Sequence, residues 1–257
     1  MELPVNHFKK MLRAGQQQIG LWCTLSSPYG IELLAGSGFE WLLLDTEHSP
    51  SDVTNVLAQL QAVAPYPVSA VVRPAWNDPV LIKRYLDIGA QTLLIPYVQN
   101  ADEARQAVRS INYPSTGGVR GVSALTRASR FGRVPNYAKT CQDELCLLVQ
   151  VETLEALDNI EAIAAVEGVD GIFIGPGDLA ASMGHLGEPG NPAVVAKIED
   201  AIKRLAACGK PAGILTGDEA FAERCMSLGT TFTAVGVDVG LLARSTSQLR
   251  QRFDNKA

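Results

Sequence analysis

CLLVQVETLEALDNIEAIAAVEGVDGIFIGPGD, residues 146–178, contains one complete turn of the pattern that governs this chain. It opens on a nearly continuous apolar run (146–151), passes through Leu, Ile and Val at helical spacing over 153–166, stops at Gly168 and ends on a second apolar run, 171–174. Runs of this kind suit strands buried on both faces, as in a parallel sheet covered by helices. Each run is followed by a carboxylate: Glu152 after the first, Asp178 beyond Gly175-Pro176-Gly177 after the second.

The same unit recurs on both sides. Further strands are expected at 19–24, 41–44, 68–72, 92–96, 212–215 and 232–235. Helices are expected at 31–35, 52–63, 79–88, 101–110, 192–207 and 218–228, with a last one over 240–252. Ser51-Asp52, Asn77-Asp78 ahead of Pro79, and Asp218-Glu219 are helix starts, while Gly89, Gly168, Gly209 and Gly229 are stops. Eight strand–helix units form either an open doubly wound sheet or a closed barrel. A length of 257 residues and the regularity of the units favour an α/β fold of the (β/α)8 TIM barrel type, with residues 1–257 forming a single domain. Residues 111–143 interrupt the rhythm with Tyr113-Pro114, Gly117-Gly118, Arg120, Arg127, Arg130 and Arg133. So long a connection is read as functional, a lid over the barrel mouth or a subunit contact.

Bulk properties narrow the function classes. A hydrophobic fraction of 47%, 19% charged residues and a net charge of −5 describe a globular protein and argue against nucleic-acid or membrane partners. No apolar run reaches membrane-spanning length, and MELPVNHFKKML lacks the layout of a secretory signal. Five cysteines without a C-x-x-C pair are read as reduced, packed thiols, which points to the cytoplasm.

Chemistry is expected where barrels place it, at the C-terminal ends of the strands. Strand two ends in Asp45-Thr46-Glu47-His48 and strand three in Arg73; strand five carries Gln150 and Glu152, and strand six leads to Asp178. Alternation puts Leu148, Gln150 and Glu152 on one face. If Glu152 and Asp178 share the mouth, either one of them holds a proton or a hard divalent cation such as Mg²⁺ or Mn²⁺ lies between them. Each carboxylate also suits a helix cap, a role compatible with ligation. Arg73 fits a structural ion pair or the stabilisation of a developing oxyanion. His48, three residues after Asp45, fits packing or general-base work. Trp76 and Phe131 suit either a pocket or the core.

Other readings fit less well. Gly175-Pro176-Gly177-Asp178-Leu179-Ala180 is a weak dinucleotide fingerprint: Pro176 removes an N–H and Asp178 would face the pyrophosphate, so no NAD is expected. A Schiff-base lysine would stand at a strand's C-terminal end. Lys210, the one lysine beside a strand, precedes strand seven, so none is expected. A non-catalytic small-molecule-binding barrel would not require an arginine, a histidine and two carboxylates together.

The blocks LLLDTEHSP (42–50), VVRPAWNDP (71–79), QTLLIPYVQNADEA (91–104), LVQVET (148–153) and GVDGIFIGPGDLAASMG (168–184) resemble the class II, metal-dependent pyruvate aldolases. The 4-hydroxy-2-oxoheptanedioate aldolase type is nearest, and the 2-dehydro-3-deoxyglucarate and 2-keto-3-deoxy-L-rhamnonate aldolases share the blocks. The likeness runs from about residue 20 to 252. It implies reversible cleavage of 4-hydroxy-2-oxo acids to pyruvate and an aldehyde through an enolate, with Mg²⁺, Mn²⁺ or Co²⁺. It further implies Glu152 and Asp178 as metal ligands, and Gln150 with the Gly177-Asp178 backbone as contacts to the pyruvate portion. His48 would be the base and Arg73 the stabiliser of the enolate, while Asp87 would reach an adjacent subunit's site and make its histidine more basic. A hexamer, a trimer of dimers with exchanged C-terminal helices, is implied as well. Thr46 and Ser49 stand where Gly and Ala are familiar, and Gly177 where Ala is common.

Overall fold

The computed structural model describes residues 1–254. Its strands are β1 (Gln18–Cys23), β2 (Trp41–Asp45), β3 (Ser69–Arg73), β4 (Thr92–Ile95), β5 (Cys146–Val151), β6 (Gly171–Ile174), β7 (Ala212–Leu215) and β8 (Thr230–Val237). Each is parallel to its neighbours in order, and β8 returns to β1, closing the barrel. The helices are α1 (His7–Arg13), α2 (Pro28–Ala35), α3 (Val53–Val63), α4 (Pro79–Asp87), α5 (Ala101–Ile111), α6 (Tyr137–Thr140), α7 (Leu154–Asp158), α8 (Ile160–Ala164), α9 (Pro176–Ser182), α10 (Pro192–Ala207), α11 (Glu219–Leu228) and α12 (Asp238–Asp254). The expected fold class is the one observed.

Two cores follow from the alternation of strand side chains. One parity points outward and packs, as Leu42, Leu44, Val72, Leu93, Val149 and Ile172, against the helical ring. The other fills the interior with Trp22, Trp41, Leu43, Val71, Leu94, Leu148, Phe173 and Phe232. The large rings demand missing side chains opposite them. A Cβ on Gly20 would lie 2.1 Å from the Trp41 ring, and one on Gly213 would lie 2.1 Å from that of Phe232.

Helix α1, not foreseen in the sequence, closes the N-terminal end of the barrel. Asn6 caps it by accepting from the Lys9 N–H, and its apolar face inserts Phe8 edge-on against Trp41 and Phe232 at 5.9 and 5.8 Å. The single helix expected over 153–166 is broken at Asn159, whose side-chain amide instead donates to the Gln99 carbonyl.

The expected lid is a correction. The long connection follows α5, not β4, and α5 has already carried the chain back to the N-terminal end of the barrel. There residues 112–145 pack on the chain start and on the turn after α4. The Asn6 N–H and side-chain amide donate to Glu144, Lys9 Nζ donates to the Leu145 carbonyl, and Arg127 donates to the Ile88 carbonyl at 2.7 Å. The segment therefore cannot cover its own chain's strand ends.

At the opposite end, Asp238 ties the seam between β8 and β1. Its carboxylate accepts from the Thr24 N–H and hydroxyl, the Leu25 N–H and the Val239 N–H. Helix α12 then leaves the barrel with Leu241, Leu242 and Leu249 exposed. Among the described residues, no helix is long and apolar enough to cross a membrane.

Candidate active site

The interior parity does not end with the aromatic layer. Above the Trp22–Phe173 contact (5.3 Å) the same faces of β2, β3 and β5 present Asp45, Arg73, Gln150 and Glu152, all buried. Apolar packing below and around them fixes these side chains at the barrel mouth.

Asp45 and Arg73 face each other across the β2–β3 pairing. Arg73 Nε and Nη2 donate to the two Asp45 oxygens at 2.9 and 2.7 Å, and Nη1 lies 2.7 Å from Glu47 Oε2. Three of the guanidinium's five N–H donors thus face carboxylates. Its carbon sits 4.8 Å from the Trp22 ring centre, and the Trp22 indole N–H donates to Asp45. Burial by itself would raise the Asp45 pKa; the Arg73 hydrogen bonds and charge outweigh it and hold the carboxyl below its ordinary value. The two unfamiliar residues brace this pair. Thr46 Oγ donates to the Arg73 carbonyl at 2.7 Å and accepts from the Tyr85 hydroxyl, while Ser49 Oγ donates to the Asp45 carbonyl.

Glu152 continues β5 into the mouth. Oε2 accepts from Gln150 Nε2, and Oε1 accepts from the Tyr97 N–H at 2.9 Å. Burial, with Asp178 and Glu47 nearby, pushes its pKa up to about 7 despite those two donors. Gly175 makes room for it, since a Cβ there would lie 2.5 Å from Glu152 Oε2 and 3.1 Å from Gln150 Nε2. Gln150 Oε1 is buried with no hydrogen-bond partner among the described residues, an acceptor still to be satisfied. Asp178 lies exposed in the first turn of α9 beside Gly177, where a Cβ would meet nothing within 4 Å.

Glu47 is the residue that sequence reasoning left without a role. Standing two positions after Asp45, it follows the same alternation, and that was the available signal. It bridges to Arg73, and burial raises its pKa, with Arg73 and His48 opposing and Asp45 and Asp178 adding to the rise. His48 is mostly exposed at the rim, its Nε2 4.0 Å from Glu47 Oε1. Among the described residues it shares no hydrogen bond with Asp45. Asp87 is not part of this cluster within one chain: it ends α4 at the opposite barrel end, where Arg120 Nη2 reaches it at 3.3 Å. Lys210 also sits there, donating to the Val169 carbonyl.

Glu152, Asp178 and Glu47 offer oxygen donors whose charges act on one another, and Arg73 is already engaged by Asp45 and Glu47. Among the described residues, no three His, Cys, Asp or Glu side chains cluster closely enough to cage a metal ion. Two carboxylates with the remaining positions left to water or substrate oxygens fit a hard cation such as Mg²⁺, which retains several waters. The residues present therefore suit a divalent cation.

Known proteins resemble this chain over nearly its whole length. Residues 18–245 match the family described as HpcH/HpaI aldolase/citrate lyase. A protein of Rhizobium etli named pyruvate aldolase is 70% identical over 98% of this chain and 99% of its own length. One of Klebsiella pneumoniae named 4-hydroxy-2-oxo-heptane-1,7-dioate aldolase is 58% identical over 98% and 95%. The crystal structure of an HpcH/HpaI aldolase/citrate lyase family protein from Burkholderia cenocepacia superposes with a TM-score of 0.93 at 39% identity, covering 97% of this chain and 100% of that one. The chain is thus an enzyme, an aldolase acting as a carbon–carbon lyase, and it belongs to the HpcH/HpaI aldolase/citrate lyase family.

Proposed function

We propose that this aldolase reversibly cleaves 4-hydroxy-2-oxo acids to pyruvate and an aldehyde, using a divalent cation held by Glu152 and Asp178. The observation that carries this reading is the buried Glu152, whose pKa the nearby Asp178 and Glu47 help to raise, beside an arginine whose charge is already shared. The names of the relatives from R. etli and K. pneumoniae support the substrate class.

When bound, the cation (Mg²⁺, Mn²⁺ or Co²⁺) supplies Lewis-acid polarisation of the 2-oxo acid. Gln150, through its unpartnered carbonyl or its amide, and the backbone at Gly177-Asp178 orient the pyruvate portion. His48 takes the proton from the C4 hydroxyl, the C3–C4 bond breaks, and an aldehyde leaves. Arg73 directs its two unengaged N–H groups at the charge that develops on the pyruvate enolate, and Asp45 holds the guanidinium in place. Reprotonation at C3 releases pyruvate.

We further propose a cytoplasmic homo-oligomer, a hexamer assembled as a trimer of dimers with α12 exchanged between subunits. The exposed Leu241, Leu242 and Leu249 of α12 and the remoteness of Asp87 from its own chain's site support this.

The decisive experiment treats the protein with chelator and then assays pyruvate release from a panel of 4-hydroxy-2-oxo acids, sugar-derived 3-deoxy acids included, with and without added Mn²⁺, Mg²⁺ or Co²⁺. Loss and metal-dependent recovery are expected; activity indifferent to metal removal overturns the reading. Borohydride added with pyruvate should trap no covalent adduct.

A further inference from the structure

Tyr97 has the backbone conformation of a glycine without being one. Its φ is +55°, a region in which a bulky residue is an outlier, and such outliers concentrate where function over-determines the backbone. The consequence is local and specific. In an extended chain successive N–H groups point to opposite sides, whereas a left-handed residue turns neighbouring ones to the same side. Here both do so: the Tyr97 N–H donates to Glu152 Oε1 at 2.9 Å, and the Val98 N–H donates to the Gln150 carbonyl at 3.0 Å. The next residue continues the seam, since Gln99 accepts from the Thr153 hydroxyl and from the Asn159 amide. The loop after β4 is thereby laced along the end of β5, and its first rung ends on the Glu152 carboxylate.

The side chain of residue 97 meets the loop after β3. The Tyr97 ring stacks on Trp76 with centroids 5.6 Å apart and planes 28° from parallel. Trp76 is not on a free tip. Neighbouring Asn77 donates to the Glu103 carbonyl, its own carbonyl accepts from Gln106, and the Asp78 N–H donates to the Trp76 carbonyl. Both rings are substantially exposed, 53% for Trp76 and 40% for Tyr97, so hydrophobic burial alone does not account for the pair.

We infer that Trp76 and Tyr97 are positioning residues: their stack holds the left-handed backbone that aims the Tyr97 N–H at Glu152 and so orients this carboxylate for the divalent cation. The inference rests on the proposed role of Glu152 as a ligand, and the test separates the two. Mn²⁺ binding to the full-length protein is measured by the loss of the free-ion paramagnetic resonance signal in wild type, Glu152→Gln, Trp76→Ala, Trp76→Phe and Tyr97→Gly. Glu152→Gln should abolish binding. Trp76→Ala should raise the dissociation constant about 10-fold or more, as outer-shell partners of metal ligands do. Trp76→Phe, which restores a ring, should recover most of it. Tyr97→Gly, which keeps the backbone accessible but removes the ring, should fall between wild type and Trp76→Ala. If Trp76→Ala binds Mn²⁺ as wild type does while Glu152→Gln does not, the stack has no positioning role. If Glu152→Gln binds as wild type does, the ligand assignment itself is wrong. Thermal melting of Trp76→Ala within a few degrees of wild type excludes unfolding as the cause, and Trp76→Phe with Tyr97→Gly decides the question even if the alanine variant is unstable.

Discussion

Arg73 holds Asp45 by two parallel hydrogen bonds, 2.9 Å from Nε and 2.7 Å from Nη2, with both side chains buried at the mouth of the barrel. The pair fixes the plane of the guanidinium, and with it the direction of the N–H groups that neither Asp45 nor Glu47 takes.

Replacing Arg73 with alanine should lower turnover by about 10²-fold or more, the usual cost of losing an oxyanion donor. Arg73→Lys should lose nearly as much, because an ammonium cannot reproduce the fork. Removing one side of a buried ion pair costs about 3–5 kcal/mol, so Arg73→Ala should melt earlier, and its turnover has to be measured well below its midpoint. A rate near wild type in Arg73→Ala would make the residue purely structural.

The same pair makes stability depend on acid. The Asp45 carboxyl is held below its ordinary value of 3.8 in the folded protein, so between the two values the unfolded chain binds more protons. The stabilisation is therefore complete above about pH 4 and disappears as pH falls through the lower, folded value. In thermal melts the gap between wild type and Asp45→Asn should be present near neutral pH and shrink below about pH 4. A gap that widens on acidification contradicts the assignment.

Gly175 and Gly177 should respond oppositely to alanine. At 175 the new Cβ collides with Glu152 and Gln150, so overpacking of about 1–3 kcal/mol and weaker Mn²⁺ binding are expected. At 177 the space is open and the backbone helical, so Gly177→Ala should hold stability or raise it by up to about 1 kcal/mol. Calorimetry of the two variants side by side decides the point.

His48→Ala should reduce turnover by about 10²–10⁴-fold with melting unchanged, since the side chain is mostly exposed. Because Asp87 lies at the far end of its own barrel, mixed assemblies offer a second check. If Asp87 serves a neighbour's site, His48→Ala and Asp87→Ala chains, each inactive alone, should regain activity when refolded together. Continued inactivity of the mixture removes Asp87 from the mechanism.

How much of this was readable from the residues varies with the physics involved. The eight strands stood out because burial on both faces writes a compact apolar run into the chain, and Glu152 stood out as a charge directly after one such run, Asp178 as the first charge beyond another. Helix α1 was missed because seven residues carry too little periodicity, although Asn6 ahead of Phe8 and Leu12 was a start signal. The 111–143 connection is read from the residues as a lid or a subunit contact, and the lid fails because α5 has already returned the chain to the other end of the barrel, which only the topology displays. Asp45 and Glu47 share Arg73 only through strand register, which a linear chain does not display. The left-handed backbone at Tyr97 leaves no trace in composition, because tyrosine is not a residue that advertises it.

Asp238 joins the end of the last strand to residues 24 and 25, across 214 positions of sequence. A chain emerging from the ribosome has synthesised every proposed site residue by Asp178, yet it cannot seal the cylinder until β8 and Asp238 are out. Contacts of such separation are slow to form, because the entropy of closing the intervening loop is spent before they return anything. In the interval β1 presents an open edge, and that edge is where a nascent or truncated chain of this enzyme is most exposed to pairing with another.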